Sequence, residues 1–250
     1  VSSLYLRDDL AALAPREGDI VTLSGDEARH AATVGRMRVG EHTAFGDGRG
    51  LVVRGIVTAV APREVSLAVE SVEEHPAAAP SVVLVQALAK GDRDELAVQA
   101  ATELGVSAVV PWQADRSVSR WEGAKAAKGI ERWSAIVREA AKQSIRARIP
   151  AVDPLVRTTD LAKTAGQTRM LVLEPTAEGR LSDLDLTPGA SDAAKPIHLV
   201  VGPEGGISPR ELDLLQSAGA RLVRLGPDVL RTSTAGPAAL AVVNVALGRW

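Results

Sequence analysis

HLVVGPEGGISPRELDLL, residues 198–215, runs from an apolar stretch through three glycines into a helix start. A strand, a glycine-rich turn and a helix in that order belong to α/β architecture, where such a turn most often cradles phosphate. Two features of a phosphate cradle are missing. No Lys and Ser/Thr follow the last glycine, and no G-x-G-x-x-G runs straight into the helix. Ser208 and Glu211 have capping-box spacing, with Pro209 at the first helical position, so some of the helix's orphan N–H groups have internal partners. The loop is free to hold an uncharged or cationic ligand. Taken alone, it reads equally well as a tight turn with permissive glycines.

Outward from this stretch, the chain from Val82 alternates strands and helices. VVLVQAL precedes a helix through ELAVQAATELG; VSAVVP precedes a long basic helix; RMLVLEP, IHLVVGP and RLVRLGP follow, with helices after the last two. This is the pattern of a largely parallel α/β sheet, and the nearly continuous apolar strands imply burial on both faces. The last three strands end in Glu174-Pro175, Gly202-Pro203 and Gly226-Pro227. Proline ends a ladder because it lacks an N–H, and glycine permits close backbone approach. Ligands of open α/β sheets bind beyond the carboxyl ends of the strands, so the three turns are expected to line one pocket.

The first 72 residues have a different texture. SLYL at 3–6, DIVTL at 19–23, GLVVRGIVTAV at 50–60 and EVSLAVESV at 64–72 read as short strands of a small β-barrel-like domain, interrupted by one helical piece, DEARHAATVGRM. EEHPAAAPS at 73–81 reads as a linker, and 82–250 as the second domain. The terminal STAGPAALAVVNVALGRW is apolar nearly all round apart from Asn244, which predicts burial in the core or in a homodimer interface, the latter favoured.

Composition narrows the chemistry. With 250 residues, 46% of them hydrophobic, the chain can bury a sizeable core, and no apolar run approaches a membrane span or a signal peptide. A soluble, cytoplasmic protein without membrane contact is expected. Zero cysteines exclude disulfides, cysteine-ligated metal and any cysteine nucleophile. The four histidines lack ligand spacing, no metal site is expected, and His198 reads as a satisfied core residue. Net charge is only −2, yet residues 116–148 hold nine Lys/Arg against three acids. Within that window Arg138, Lys142 and Arg146 recur every four residues, a basic stripe suited to a polyanion. Its plainer reading is a solvated helix face.

LVVGPEGGISPREL and RLGPDVLRTSTA, with KGDRDELAVQAATELGVSAVVP and REAAKQSIRARIP, resemble the SPOUT-class 16S ribosomal RNA uridine-N3 methyltransferases of the RsmE family. DEARHAATVGRMRVGE is similar to that family's N-terminal PUA-like segment, so the resemblance spans the chain. It implies a PUA-like β-barrel followed by a SPOUT trefoil-knot domain, S-adenosylmethionine in the knot, and a homodimer. Glu174, Gly202, Pro203, Glu204, Gly205, Gly206, Leu225, Gly226 and Leu230 would bind the cofactor. Arg231, Thr232 and Thr234 would lie at the reaction, and Arg36, Arg116, Arg138, Lys142 and Arg146 would contact 16S rRNA, within the small ribosomal subunit. The family pattern L-R-x-E-T-A is broken by Ser233 where the Glu stands, and Ala100 replaces a Lys common before A-T-E-L-G. Methylation at uracil C5 usually needs a cysteine nucleophile, so transfer to nitrogen or oxygen is favoured. The alternatives are another SPOUT methyltransferase, acting on ribose 2′-oxygen or guanine N1, and a noncatalytic RNA-binding protein.

Overall fold

The computed structural model describes residues 4–187 and 195–250. Ser3, the first residue of the expected strand SLYL, lies outside them. The chain divides into two compact units, one of Val1–Ala77 with Ala141–Ile149, the other of Ala78–Ala140 with Pro150–Trp250.

The first unit is a curled five-stranded sheet. Its strands are β1 (Leu4–Leu6), β2 (Ile20–Ser24), β3 (His42–Gly46), β4 (Leu51–Ala61) and β5 (Glu64–Glu74), in the order β1-β3-β4-β5-β2. Only β1 and β3 pair in parallel. Two irregularities in the β4–β5 register bend this ribbon. At one of them a Cβ on Gly55 would lie 1.9 Å from the Ala68 carbonyl oxygen, so only glycine fits. Phe45, Leu10, Leu23, Val57 and Leu67 fill the core of this unit. The helical piece forms as α1 (Gly25–Arg29) and runs on into a π-helical turn, His30–Val34. β3 has no counterpart among the expected strands; HTAFG is short and is buried at four successive positions, so it lacks the alternation that marks a strand.

The second unit holds β6 (Val82–Ala87), α2 (Arg93–Glu103), β7 (Ala108–Gln113), α3 (Ala124–Gln143, whose last residues belong to the first unit), β8 (Ala151–Val152), β9 (Val156–Arg157), α4 (Thr158–Ala165), β10 (Arg169–Leu173), β11 (Ile197–Val201), α5 (Pro209–Ser217), β12 (Arg221–Val223) and α6 (Thr232–Ala246). Its sheet has the order β12-β10-β11-β6-β7-β8, with β9 also on β7, and every pairing is parallel. All six residues of β6 are buried, as a strand covered on both faces requires. Trp112, Val85, Val172, Val200 and Leu215 form the core on one face. On the other, α6 packs against β6, where a Cβ on Gly236 would come within 2.8 Å of Leu84.

The helix α6 departs from all-round burial. Gly236, Ala239, Leu240, Val243 and Asn244 are buried, whereas Ala238, Ala241 and Val242 are half-buried and Val245 is 62% exposed. The buried Asn244 is satisfied, since its Nδ2 donates to the Leu104 carbonyl at 2.8 Å.

Candidate active site

The three glycine- and proline-bearing turns after β10, β11 and β12 line one cavity of about 390 Å³. The glycine turn owes its shape to the capped start of α5. Ser208 Oγ accepts from the Glu211 N–H at 3.3 Å, and Glu211 Oε2 accepts from the Ser208 N–H at 3.1 Å. Glu211 is fully buried, and its Oε1 accepts from the Thr158 hydroxyl at 2.7 Å and the Asp115 N–H at 2.9 Å. The capping residue thereby anchors α5 to α4 and to the segment after β7. Gly206, at φ +72°, makes the turn that a side chain would strain.

Glu204 leaves this turn toward α2. Its Oε1 accepts from the Lys90 N–H and from Arg93 Nη1, each at 3.0 Å. Burial pulls the Glu204 carboxyl upward, but backbone hydrogen bonds, including the one from Lys90, and the Arg93 guanidinium outweigh it and hold the group below the usual carboxylate range. Arg116 Nη1 donates to the Gly205 carbonyl at 3.1 Å, which clips the other side of the turn.

Across the cavity, Glu174 Oε1 accepts from the Thr176 N–H and hydroxyl at 3.2 and 2.9 Å, and the Glu174 N–H donates to the Val223 carbonyl at 2.9 Å. The segment Leu225–Thr232 then runs along the cavity into α6. Arg231, the residue before α6, is exposed, and its side chain makes no ion pair or hydrogen bond with the described residues. It is free to meet a ligand. Thr232 is buried; its hydroxyl donates to the Gly202 carbonyl at 2.8 Å and accepts from Gln86 Nε2 at 2.9 Å.

Of the residues expected at the cofactor or the reaction, Glu174, Gly202, Pro203, Glu204, Gly206, Leu225, Gly226, Leu230, Arg231 and Thr232 line this cavity. Gly205 does not, although it lies in the same turn, and Thr234 is exposed one position beyond Ser233 on α6. Arg93, Arg224, Ile207 and Asp228 also line it and were not anticipated from the sequence. For Arg93 a signal existed: KGDRDEL opens a helix at the carboxyl end of β6, the same sheet edge as the glycine turns.

The arginines and lysine expected to meet RNA are placed differently from one another. Arg36 is exposed at φ 50°, and Arg116 is exposed beside the glycine turn. Arg138 is half-buried on α3. Lys142 is 8% exposed and pairs with Glu27 at 2.8 Å. Arg146 lies beyond the end of α3, and burial pushes its guanidinium down to about 10. The four-residue spacing therefore does not produce one solvated stripe, because the helix ends at Gln143 and Ile145 turns the chain through φ 55°. His198 departs from its expected satisfaction too: Nδ1 is buried without a hydrogen-bond partner among the described residues, and burial depresses the imidazole.

A family model described as an RNA methyltransferase domain matches residues 76–244. The ribosomal RNA small subunit methyltransferase E of Mycobacterium bovis is 44% identical over 255 residues, which cover all of this chain and 94% of that protein. The protein of the same name from Bacillus subtilis is 31% identical, with 91% of each chain covered. A crystal structure of such an enzyme from Neisseria gonorrhoeae, bound to S-adenosyl methionine, superposes with a TM-score of 0.84 at 27% identity and covers 99% of this chain and 98% of its own.

Proposed function

The chain belongs to the ribosomal RNA small subunit methyltransferase E family, and from that premise we propose that it transfers a methyl group from S-adenosylmethionine to N3 of a specific uridine in 16S rRNA. The observation that carries the reading is the convergence of three strand-end turns with Arg231 and Thr232 around one cavity.

The cavity suits this cofactor. Leu173, Val201, Ile207, Val223 and Leu225 offer apolar walls, while Glu174, Glu204 and Asp228, with Arg93, Arg224 and Arg231, give the lining charge of both signs. Mixed charge of that kind fits a zwitterionic amino acid bearing a sulfonium, and the carboxylates disfavour a polyphosphate. When bound, S-adenosylmethionine supplies an electrophilic methyl group. The protein's task is to prepare uridine N3, which is protonated at neutral pH, by stabilising the negative charge that develops as its proton leaves. Arg231, exposed at the cavity and without a competing side-chain partner among the described residues, is the group proposed for that role.

The other family features follow in the same sense. The curled first unit, Val1–Ala77 with Ala141–Ile149, is read as the PUA-like RNA-binding domain expected over residues 1–72, and the second unit as the SPOUT domain expected over 82–250; the expected linker 73–81 begins inside β5, which runs to Glu74. A trefoil knot agrees with the path after β12, which returns to bury Thr232 against Gln86 and Gly202. A homodimer through α6 accounts for the half-exposed apolar face of that helix. Arg36, Arg116, Arg138, Lys142 and Arg146 are the residues proposed to serve the RNA. A cytoplasmic location matches this substrate, and among the described residues no helix is long and apolar enough to cross a membrane.

The test is to map methylated nucleotides in small-subunit RNA from a deletion strain with and without the gene restored. One N3-methyluridine that disappears and returns supports the reading. Loss of a ribose or guanine methylation instead would reassign the substrate.

A further inference from the structure

Gln86 is the penultimate residue of β6, at the carboxyl edge of the sheet, and is completely buried. Its neighbour in register is Val201, one residue before the glycine turn. The Thr232 hydroxyl has one proton, and that proton goes to the Gly202 carbonyl at 2.8 Å. Thr232 Oγ1 therefore accepts from Gln86 Nε2 at 2.9 Å, while the same amide nitrogen lies 3.2 Å from the Ala87 carbonyl as a second acceptor. The amide has one workable orientation: turned over, its oxygen would face the Ala87 carbonyl and lose the donor that Thr232 needs. This orientation leaves Gln86 Oε1 buried without a partner among the described residues. An orphaned buried acceptor is unfavourable, and an apolar side chain of similar length would remove that penalty. What the amide adds over such a side chain is its two donated bonds, one of them to a residue of the cavity wall, and the orphaned oxygen offsets part of that gain.

We infer that Gln86 is a positioning residue for the ligand cavity: acting through Thr232, it fixes the Gly202 carbonyl and holds the 225–232 segment against the glycine turn. Gly202 and Thr232 both line the cavity, whereas Gln86 does not, so the effect is exerted on the walls and not by touching ligand. The inference rests on the reading of this cavity as an S-adenosylmethionine site.

The experiment is calorimetric titration of S-adenosylmethionine into the full-length protein, paired with thermal denaturation. Gln86→Met removes the donor and the orphan together. Its Kd should rise about tenfold, the scale of one to two lost hydrogen bonds, while its Tm stays level or increases. Gln86→Glu supplies an internal control. A protonated carboxyl donates to Thr232 as the amide does, but an ionised one draws the Thr232 proton away from Gly202. Burial raises the pKa of such a carboxyl, so binding should approach wild type near pH 5.5 and fall about tenfold behind it at pH 8. Taken as a ratio to wild type at each pH, this dependence is one that a merely structural residue does not produce. Wild-type affinity in Gln86→Met, or a Gln86→Glu ratio independent of pH, overturns the inference and leaves the functional reading intact. Absence of binding by the wild type overturns both. If Gln86→Met does not fold, the isosteric Gln86→Glu variant decides alone.

Discussion

Arg93 Nη1 donates to Glu204 Oε1 at 3.0 Å, which ties the first residue of α2 to the glycine turn after β11. The pair is partly exposed, with 43% of the Arg93 side chain and 25% of the Glu204 side chain accessible, so its direct contribution is about 0.2–1 kcal/mol. Arg93→Ala should weaken S-adenosylmethionine binding by no more than roughly fivefold if Arg93 only braces the turn. Calorimetry checks this, and a loss many times greater would place Arg93 on the ligand itself. Glu204 is held below its usual range, so this bracing persists above the ordinary carboxylate pKa and is lost as pH falls through the depressed one.

Gly206 and Gly226 both line the cavity, yet they should respond differently to substitution. Gly206 sits at φ +72°, where any Cβ is strained by roughly 1–2 kcal/mol. At Gly226 the backbone is ordinary and a Cβ meets nothing within 4 Å. Gly206→Ala is therefore expected to lower Tm and ligand affinity together, whereas Gly226→Ala should leave Tm unchanged. Equal Tm for the two variants would contradict the strained turn.

His198 gives the second unit a pH dependence. Its folded-state pKa lies below the unfolded value because the ring is buried, so as pH falls through the unfolded pKa the denatured chain takes up a proton that the native chain refuses. Stability is full above that value and declines as pH falls below it. Tm measured from pH 7.5 down to 5 should drop less in His198→Leu than in wild type. A parallel decline in the two proteins would show that His198 does not carry the effect.

The apolar face of α6 predicts an association. Val245 is 62% exposed, so Val245→Asp should be tolerated by the isolated chain. In a closed interface the same change buries an unpaired charge, at a cost of several kcal/mol. Light scattering at micromolar concentration should find a dimer for wild type and a monomer of near-native Tm for the variant. A dimer that survives Val245→Asp would move the interface away from this face.

The parallel sheet and the turns that line the cavity were legible because buried strands and strand-end turns carry strong local signals: β6, β10 and β11 are predominantly apolar runs, and Glu174-Pro175 and Gly202-Pro203 mark the ends of β10 and β11. The capping box at Ser208 was read from spacing alone, but the burial of Glu211 under Thr158 and Asp115 was not, since both partners are distant in sequence. For the same reason the Gln86–Thr232 contact, 146 residues apart, has no sequence signature. The expected solvated stripe does not form for two reasons: Lys142, still within α3, is drawn into a largely buried pair with Glu27, and α3 stops before Arg146.

Arg231 precedes α6, stays exposed at the cavity and is unpaired among the described residues, while Ser233 stands where the family pattern carries a carboxylate. If Arg231 stabilises the uridinate, its contribution is made mainly as the N3 proton leaves. Arg231→Ala should then lower kcat by about two to three orders of magnitude with little change in S-adenosylmethionine affinity. Arg231→Lys should restore only part of the rate, because a point charge replaces a planar fork. Ser233→Glu tests the competing account. Were a base at that position what the chain lacks, the rate would jump; a modest change is expected if, as proposed, Arg231 rather than a base at that position assists the loss of the proton. Single-turnover rates on small ribosomal subunits across pH, for these three variants, separate the possibilities, and full activity in Arg231→Ala would remove Arg231 from the mechanism.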